Sequence, residues 1–174
     1  ITLDTTTNAF ASAVAVTTNG STSSHVVIDG GTTTLDMGAS TVDGNLTITS
    51  GHATGLTDSG TVTVAGNLVA TADHGSGTIA LNNALAVTGS VGLTSGGAAT
   101  VVEANGLDLG ASTVGGALSA TATLGNITDS DALAITGTST FITSADDATI
   151  TLDTTTNAFA SAVAVTTNGS TSSH

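Results

Sequence analysis

The chain has no cysteine, proline, tryptophan, tyrosine, lysine or arginine, and aromatic residues make up 2% of its 174 residues. Without cysteine there are no disulfides and no thiolate chemistry. Without lysine or arginine there is no phosphate-binding lysine loop and no cationic surface, which excludes nucleic acid as a partner. Lysine isopeptide bonds and dityrosine are excluded as cross-links for the same reason. The absence of proline leaves every residue a backbone N–H for pairing. Charged residues amount to 7%, against about a quarter in an ordinary soluble domain, so a conventional globular core does not fit. Disorder does not fit either, because mean hydropathy is +0.39 and the residues that mark disorder are scarce. No stretch reaches the roughly 18 apolar residues of a membrane span, and no leader with a charged start is visible.

Threonine, serine, glycine, alanine and valine dominate what remains, and these are the residues of short strands and tight turns. The 25 residues ITLDTTTNAFASAVAVTTNGSTSSH run from Ile1 to His25 and recur without a difference from Ile150 to His174, which sets a period of 149 residues. Identity over that length predicts a tandem array, with residues 1–149 as one period, 150–174 as the start of the next, and the whole chain as a window on a longer protein. A shorter repeat lies inside the period. Leu35-Asp36-Met37-Gly38-Ala39-Ser40-Thr41-Val42 returns as Leu107-Asp108-Leu109-Gly110-Ala111-Ser112-Thr113-Val114, and Thr57-Asp58-Ser59 returns as Thr128-Asp129-Ser130. These anchors divide the period into sub-repeats 1–78 and 79–149, with the length difference assigned to loop insertions.

Turn signals such as Asp29-Gly30-Gly31, Asp43-Gly44, Gly66-Asn67 and Asn105-Gly106 separate short apolar alternations. Val14–Val16, Val26–Ile28, Leu46–Thr49, Val62–Val64, Ile79–Leu81, Val101-Val102, Leu133–Ile135 and Ile150–Leu152 each read as a strand. No helical period with caps occurs. Short strands could form an antiparallel sandwich, but a sandwich closes on itself and has no reason to repeat identically. The expected fold is all-β, a right-handed parallel β-solenoid with a thin core, in which Phe10 and Phe141 fill local widenings. Coils of roughly 20–24 residues would give about six or seven per period.

The strings GNLTITSG (Gly44 to Gly51), TDSGTVTVAGNL (Thr57 to Leu68), LDLGASTVGGAL (Leu107 to Leu118) and NITDSDALAITGTSTF (Asn126 to Phe141) resemble the strand repeats of large filamentous-haemagglutinin-like bacterial surface proteins. The resemblance covers nearly the whole chain. It implies a secreted or surface-anchored β-helical fibre that serves as an adhesin stalk or matrix filament, although no secretion domain or adhesive tip has a counterpart here.

Catalytic chemistry finds little support. No Gly-x-Ser-x-Gly elbow exists, and His25, His52, His74 and His174 sit among small turn residues. Solenoid polysaccharide lyases share the expected architecture but generally use a cationic side chain that this chain lacks. The expectation is that the protein is not an enzyme and holds no cofactor. For metal, Asp129 and Asp131 are spaced to share one side of a strand, and Asp146 and Asp147 could converge in a turn; calcium takes such oxygen ligands. The competing reading is that all four are solvated corner residues. Thr-x-Thr units read as outward strand positions rather than an ice-ordering array, because their spacing is expected to be irregular across coils. Asn19, Asn45, Asn126 and Asn168 lie in glycosylation sequons.

The sequence thus points to a structural fibre, extracellular or on the cell surface, that partners itself through end-to-end repeats or stacking and through lateral bundling. The alternative is an adhesin module that binds a glycan or a surface in a calcium-dependent way.

Overall fold

Alternation of inward and outward residues builds most of the strands. In Leu46–Ser50 the side chains of Leu46, Ile48 and Ser50 point inward while Thr47 and Thr49 point outward, a pattern repeated in Ala99–Glu103 and Leu118–Ala122. The computed structural model describes residues 1–169. Over these residues it is a parallel β-solenoid of eight coils with no helix, so among the described residues no helix crosses a membrane. The coils span residues 1–25, 26–45, 46–67, 68–89, 90–106, 107–126, 127–149 and 150–169. Each lays a first segment on an 11-stranded sheet, and each from the second onward lays another on a 9-stranded sheet, the two sheets enclosing the core.

Stacking in register makes the core a set of apolar columns. Val26, Leu46, Leu68 and Val91 lie above one another on the first face. Leu35, Leu56, Ile79, Ala99 and Leu118 do so on the second. All are 0–2% exposed, and each fully buried leucine or isoleucine contributes about 1.5–3 kcal/mol. Phe141 sits next to Ala120 in its column, so the ring occupies the room an alanine leaves. Phe159 meets it edge-on, with ring centroids 6.0 Å apart.

At the corners, side chains bond the coil above. Asn45 N donates to His25 Nδ1 (2.9 Å), Asn67 N to Asn45 Oδ1 (3.0 Å) and Ser90 N to Asn67 Oδ1 (3.1 Å), a ladder that satisfies backbone the turn would otherwise strand. The adjoining glycine is required by this stacking. A Cβ on Gly66 would run into Asn45 Oδ1 and lie 2.8 Å from the Gly44 carbonyl carbon, and one on Gly89 would strike Asn67 Oδ1 in the same way.

The internal repeat has a structural phase that the residue count alone does not show. Leu35–Met37 and Ser40–Val42 belong to the 9-stranded sheet, whereas their copies Leu107–Leu109 and Ser112–Val114 belong to the 11-stranded sheet. Asp58 and Asp129, and Ile79 and Ile150, are split between the faces in the same way. The sub-repeat therefore advances seven half-coils, three and a half turns, and appears on alternate sides. A full period advances seven whole coils and returns Thr151 to the face of Thr2. The local chemistry survives the change of face. Ser40 Oγ donates to Gly38 O and accepts Val16 N, and Ser112 Oγ donates to Gly110 O and accepts Leu93 N.

Strands such as Leu68–Ala72, Leu118–Ala122 and Ser139–Asp146 add to the expected set, and two of the expected strands take a different form. Val14–Val16 forms only isolated bridges from Val14 to Met37 and from Thr17 to Thr41, while the identical residues of the second copy form the strand Val163–Asn168. The first copy has a neighbour above it and the second has one below it, and the pairing follows the neighbour. Ile79–Leu81 extends to Ile79–Val87, because Asp58 in the coil below accepts the N–H groups of Asn82 and Asn83 and carries the strand over an insertion.

Candidate functional site

The four acidic candidates do not share a site. Asp129 ends the strand Ile127–Asp129 and is 9% exposed, with its carboxylate turned in against the next coil. It accepts Asp153 N (3.0 Å), Thr154 N (3.4 Å) and Asn157 Nδ2 (2.5 Å). Asp131 lies beyond the strand on the exposed side, where Oδ1 accepts the N–H of Ala132 at 2.7 Å. The spacing argument fails here because the strand stops between the two residues. Asp146 accepts Asn168 Nδ2 at 3.1 Å, and Asp147 holds the turn with φ 58°. Among the described residues no three histidine or acidic side chains come together as a metal-binding group.

The histidines act as corner acceptors. His25 Nδ1 takes Asn45 N, His52 Nδ1 takes Thr54 N (3.1 Å) and His74 Nδ1 takes Ser76 N (3.2 Å). His174 falls outside the described residues. Of the sequon asparagines, Asn45 and Asn126 spend their side-chain oxygens on the backbone of the coil above.

One acid absent from the sequence-based candidates is the most buried. Glu103 is 0% exposed, in register with Leu85 below and Ala122 above, and both its oxygens accept Val87 N at 3.1 Å. Burial pushes its carboxyl up from 4.5 to about 7, against backbone hydrogen bonds from Val87, Asn105 and Ala104 that pull it down. The signal was its place at the end of the alternation Ala99, Val101, Glu103, all on the inward parity.

The surface relevant to function is the pair of edges presented by the repeated segment. In the first copy, Thr2 and Leu3 pair upward with Val27 and Ile28, Val14 bridges Met37, and Gly20 N donates to Asp43 Oδ2. In the second, Ile150 and Thr151 pair downward with Ile127 and Thr128, and Val163, Ala164 and Val165 with Ser139, Thr140 and Phe141. The two sets of backbone pairings engage opposite edges of one sequence, each copy having its neighbour on one side. Phe141 is fully buried, and Phe10 and Phe159 pack half-buried against the core, so the phenylalanines serve packing.

The model of a family of repeats of unknown function (DUF5649) matches the chain twice in succession, over residues 23–94 and 96–166. The first match begins just before a segment of the 11-stranded sheet and the second just before one of the 9-stranded sheet, in keeping with the half-coil phase. No curated protein and no solved structure matches the chain.

Proposed function

The chain belongs to this family of repeats of unknown function, and from its geometry we propose that it is the shaft of a structural fibre outside the cell. The observation that carries the reading is the doubly engaged segment. Residues 1–25 fit under coil 2 and residues 150–169 fit over coil 7, so identical periods can follow one another as one uninterrupted solenoid. Seven coils at about 4.8 Å each would advance such a fibre by about 34 Å per period. Length and stiffness then come from the backbone ladder and the thin core. An exported life agrees with the lack of lysine and with the likeness to filamentous surface proteins.

A chain of two full periods tests continuity through hydrogen exchange. The internal copy of ITLDTTTNAFASAV should be protected like the coils on either side of it, because it is paired above and below. Fast exchange confined to that copy would mean separate bodies joined by a linker. Antibody raised against the period should label intact cells of the source organism; labelling only after permeabilisation would contradict the location.

A further inference from the structure

The period contains two Asn-Gly steps, Asn19-Gly20 and Asn105-Gly106, and the fold treats them differently. Asn-Gly is the dipeptide most open to attack of a backbone nitrogen on a side-chain amide, because glycine offers no side chain to obstruct the ring. Attack requires a free asparagine side chain and a following N–H that can give up its proton.

At Asn19-Gly20 the following N–H is held. Gly20 N donates to the Asp43 carboxylate at 2.9 Å, a charge-assisted bond that holds the proton on nitrogen. The second copy shows the other restraint, for Asn168 Nδ2 donates to Ser144 O and to Asp146 Oδ1, each at 3.1 Å. Inside a continuous array one asparagine would feel both restraints. Asn105 feels neither. Both Asn105 and Gly106 are exposed, and among the described residues neither the Asn105 side chain nor Gly106 N makes a hydrogen bond. The corner is tied to the next coil through the Asn105 carbonyl, which accepts Leu124 N at 3.3 Å, and not through the groups that would react.

We propose that Asn105 is a site of spontaneous covalent modification, one per period, by deamidation through a cyclic imide formed with Gly106, while the fold protects Asn19. Gly106 N bonds to the Asn105 side-chain carbonyl carbon, the bond from that carbon to Nδ2 breaks, and the amide leaves as ammonia with the proton from Gly106. Water then opens the imide. Cleavage at the side-chain carbonyl leaves aspartate; cleavage at the main-chain carbonyl leaves isoaspartate and inserts a methylene into the backbone. Either product adds a negative charge two residues from buried Glu103, and isoaspartate also lengthens one corner of a rung. The fibre would carry a regularly spaced ageing point.

The test is to incubate the full chain folded at mildly alkaline pH and follow each asparagine by peptide mass, with isoaspartate read by its resistance to aspartate-directed cleavage. Asn105 should convert about tenfold faster than Asn19, the factor expected from one charge-assisted hydrogen bond. In denaturant the two rates should become equal. Asp43→Ala should accelerate Asn19 and leave Asn105 unchanged. Equal rates in the folded chain, a difference that persists in denaturant, or an Asn19 rate indifferent to Asp43→Ala would each overturn the proposal.

Discussion

Glu103 is the chain's only glutamate, and it lies in the core with no lysine or arginine anywhere in the sequence to neutralise it. Its carboxyl is raised from 4.5 to about 7 by burial, so on raising the pH the unfolded state releases this proton first and the folded state holds it longer. Below about pH 4.5 both states are protonated and the coil has its full stability. Between 4.5 and about 7 stability falls with each unit of pH, and above that the loss is complete, amounting to about 3 kcal/mol. General repulsion among the acids has the same sign, so the decisive comparison is with Glu103→Gln. Denaturation midpoints measured from pH 4 to pH 8 should show a shallower slope in the variant; an unchanged slope would mean the carboxylate is solvated. The residue was hard to read from sequence because a charge beside Val101-Val102 suggests the strand is ending, whereas strand parity continues and carries it inside. Asp129 misled in a related way, since its neighbour two along suggested a shared face that the end of the strand denies.

Strands were legible where β-branched and larger aliphatic residues alternate, as in Leu46–Ser50 and Val62–Val64. They were illegible where alanine takes inward positions, as in Leu118–Ala122, or where an acid closes the strand, as in Ile127–Asp129. A thin core needs little volume per rung, so small residues suffice and the hydrophobic signal fades. The threonines show the same limit. Thr49, Thr71, Thr94 and Thr113 look irregular in sequence and yet stand in one register column, because the corners absorb the differences in coil length. Asp58 and Asp129 hold those longer corners. Asp129→Ala would strand the N–H groups of Asp153 and Thr154 and release Asn157, and should cost about 2–3 kcal/mol, with hydrogen exchange accelerated from Asp153 to Asn157. Exchange there that matched the native chain would show that the loop has other support. Gly89→Ala should be worse tolerated than Gly75→Ala, because at Gly75 nothing lies within 4 Å of the position a Cβ would take; equal melting temperatures would refute the corner stacking.

On the scale of the whole molecule, the proposed fibre predicts that charge sets how neighbouring shafts meet. The chain has 13 acids and no lysine or arginine, and since Asp153 repeats Asp4 one period carries eleven aspartates, besides buried Glu103, along about 34 Å. That is about one per 3 Å, well within the Debye length of about 8 Å at physiological salt. Filaments should stay dispersed at low salt with chelator and associate sideways in millimolar calcium or magnesium, seen by light scattering and electron microscopy. Bundles that persisted in chelator at low salt would assign lateral contact to apolar or glycan groups. The half-coil phase adds that each family repeat faces the side opposite to its predecessor, so a long array shows both sides the same succession of surfaces, displaced by three and a half rungs. The tandem repeat and the solenoid were legible in the sequence, but this alternation was not, because it depends on an odd number of half-coils that only the register reveals. Continuity of the solenoid is tested most directly by the axial advance per period in filaments of many identical periods, measured by electron microscopy or fibre diffraction. A continuous solenoid predicts about 34 Å per 149 residues on a rung spacing of about 4.8 Å; a longer or variable spacing between periods, with no common rung order running through them, would contradict it.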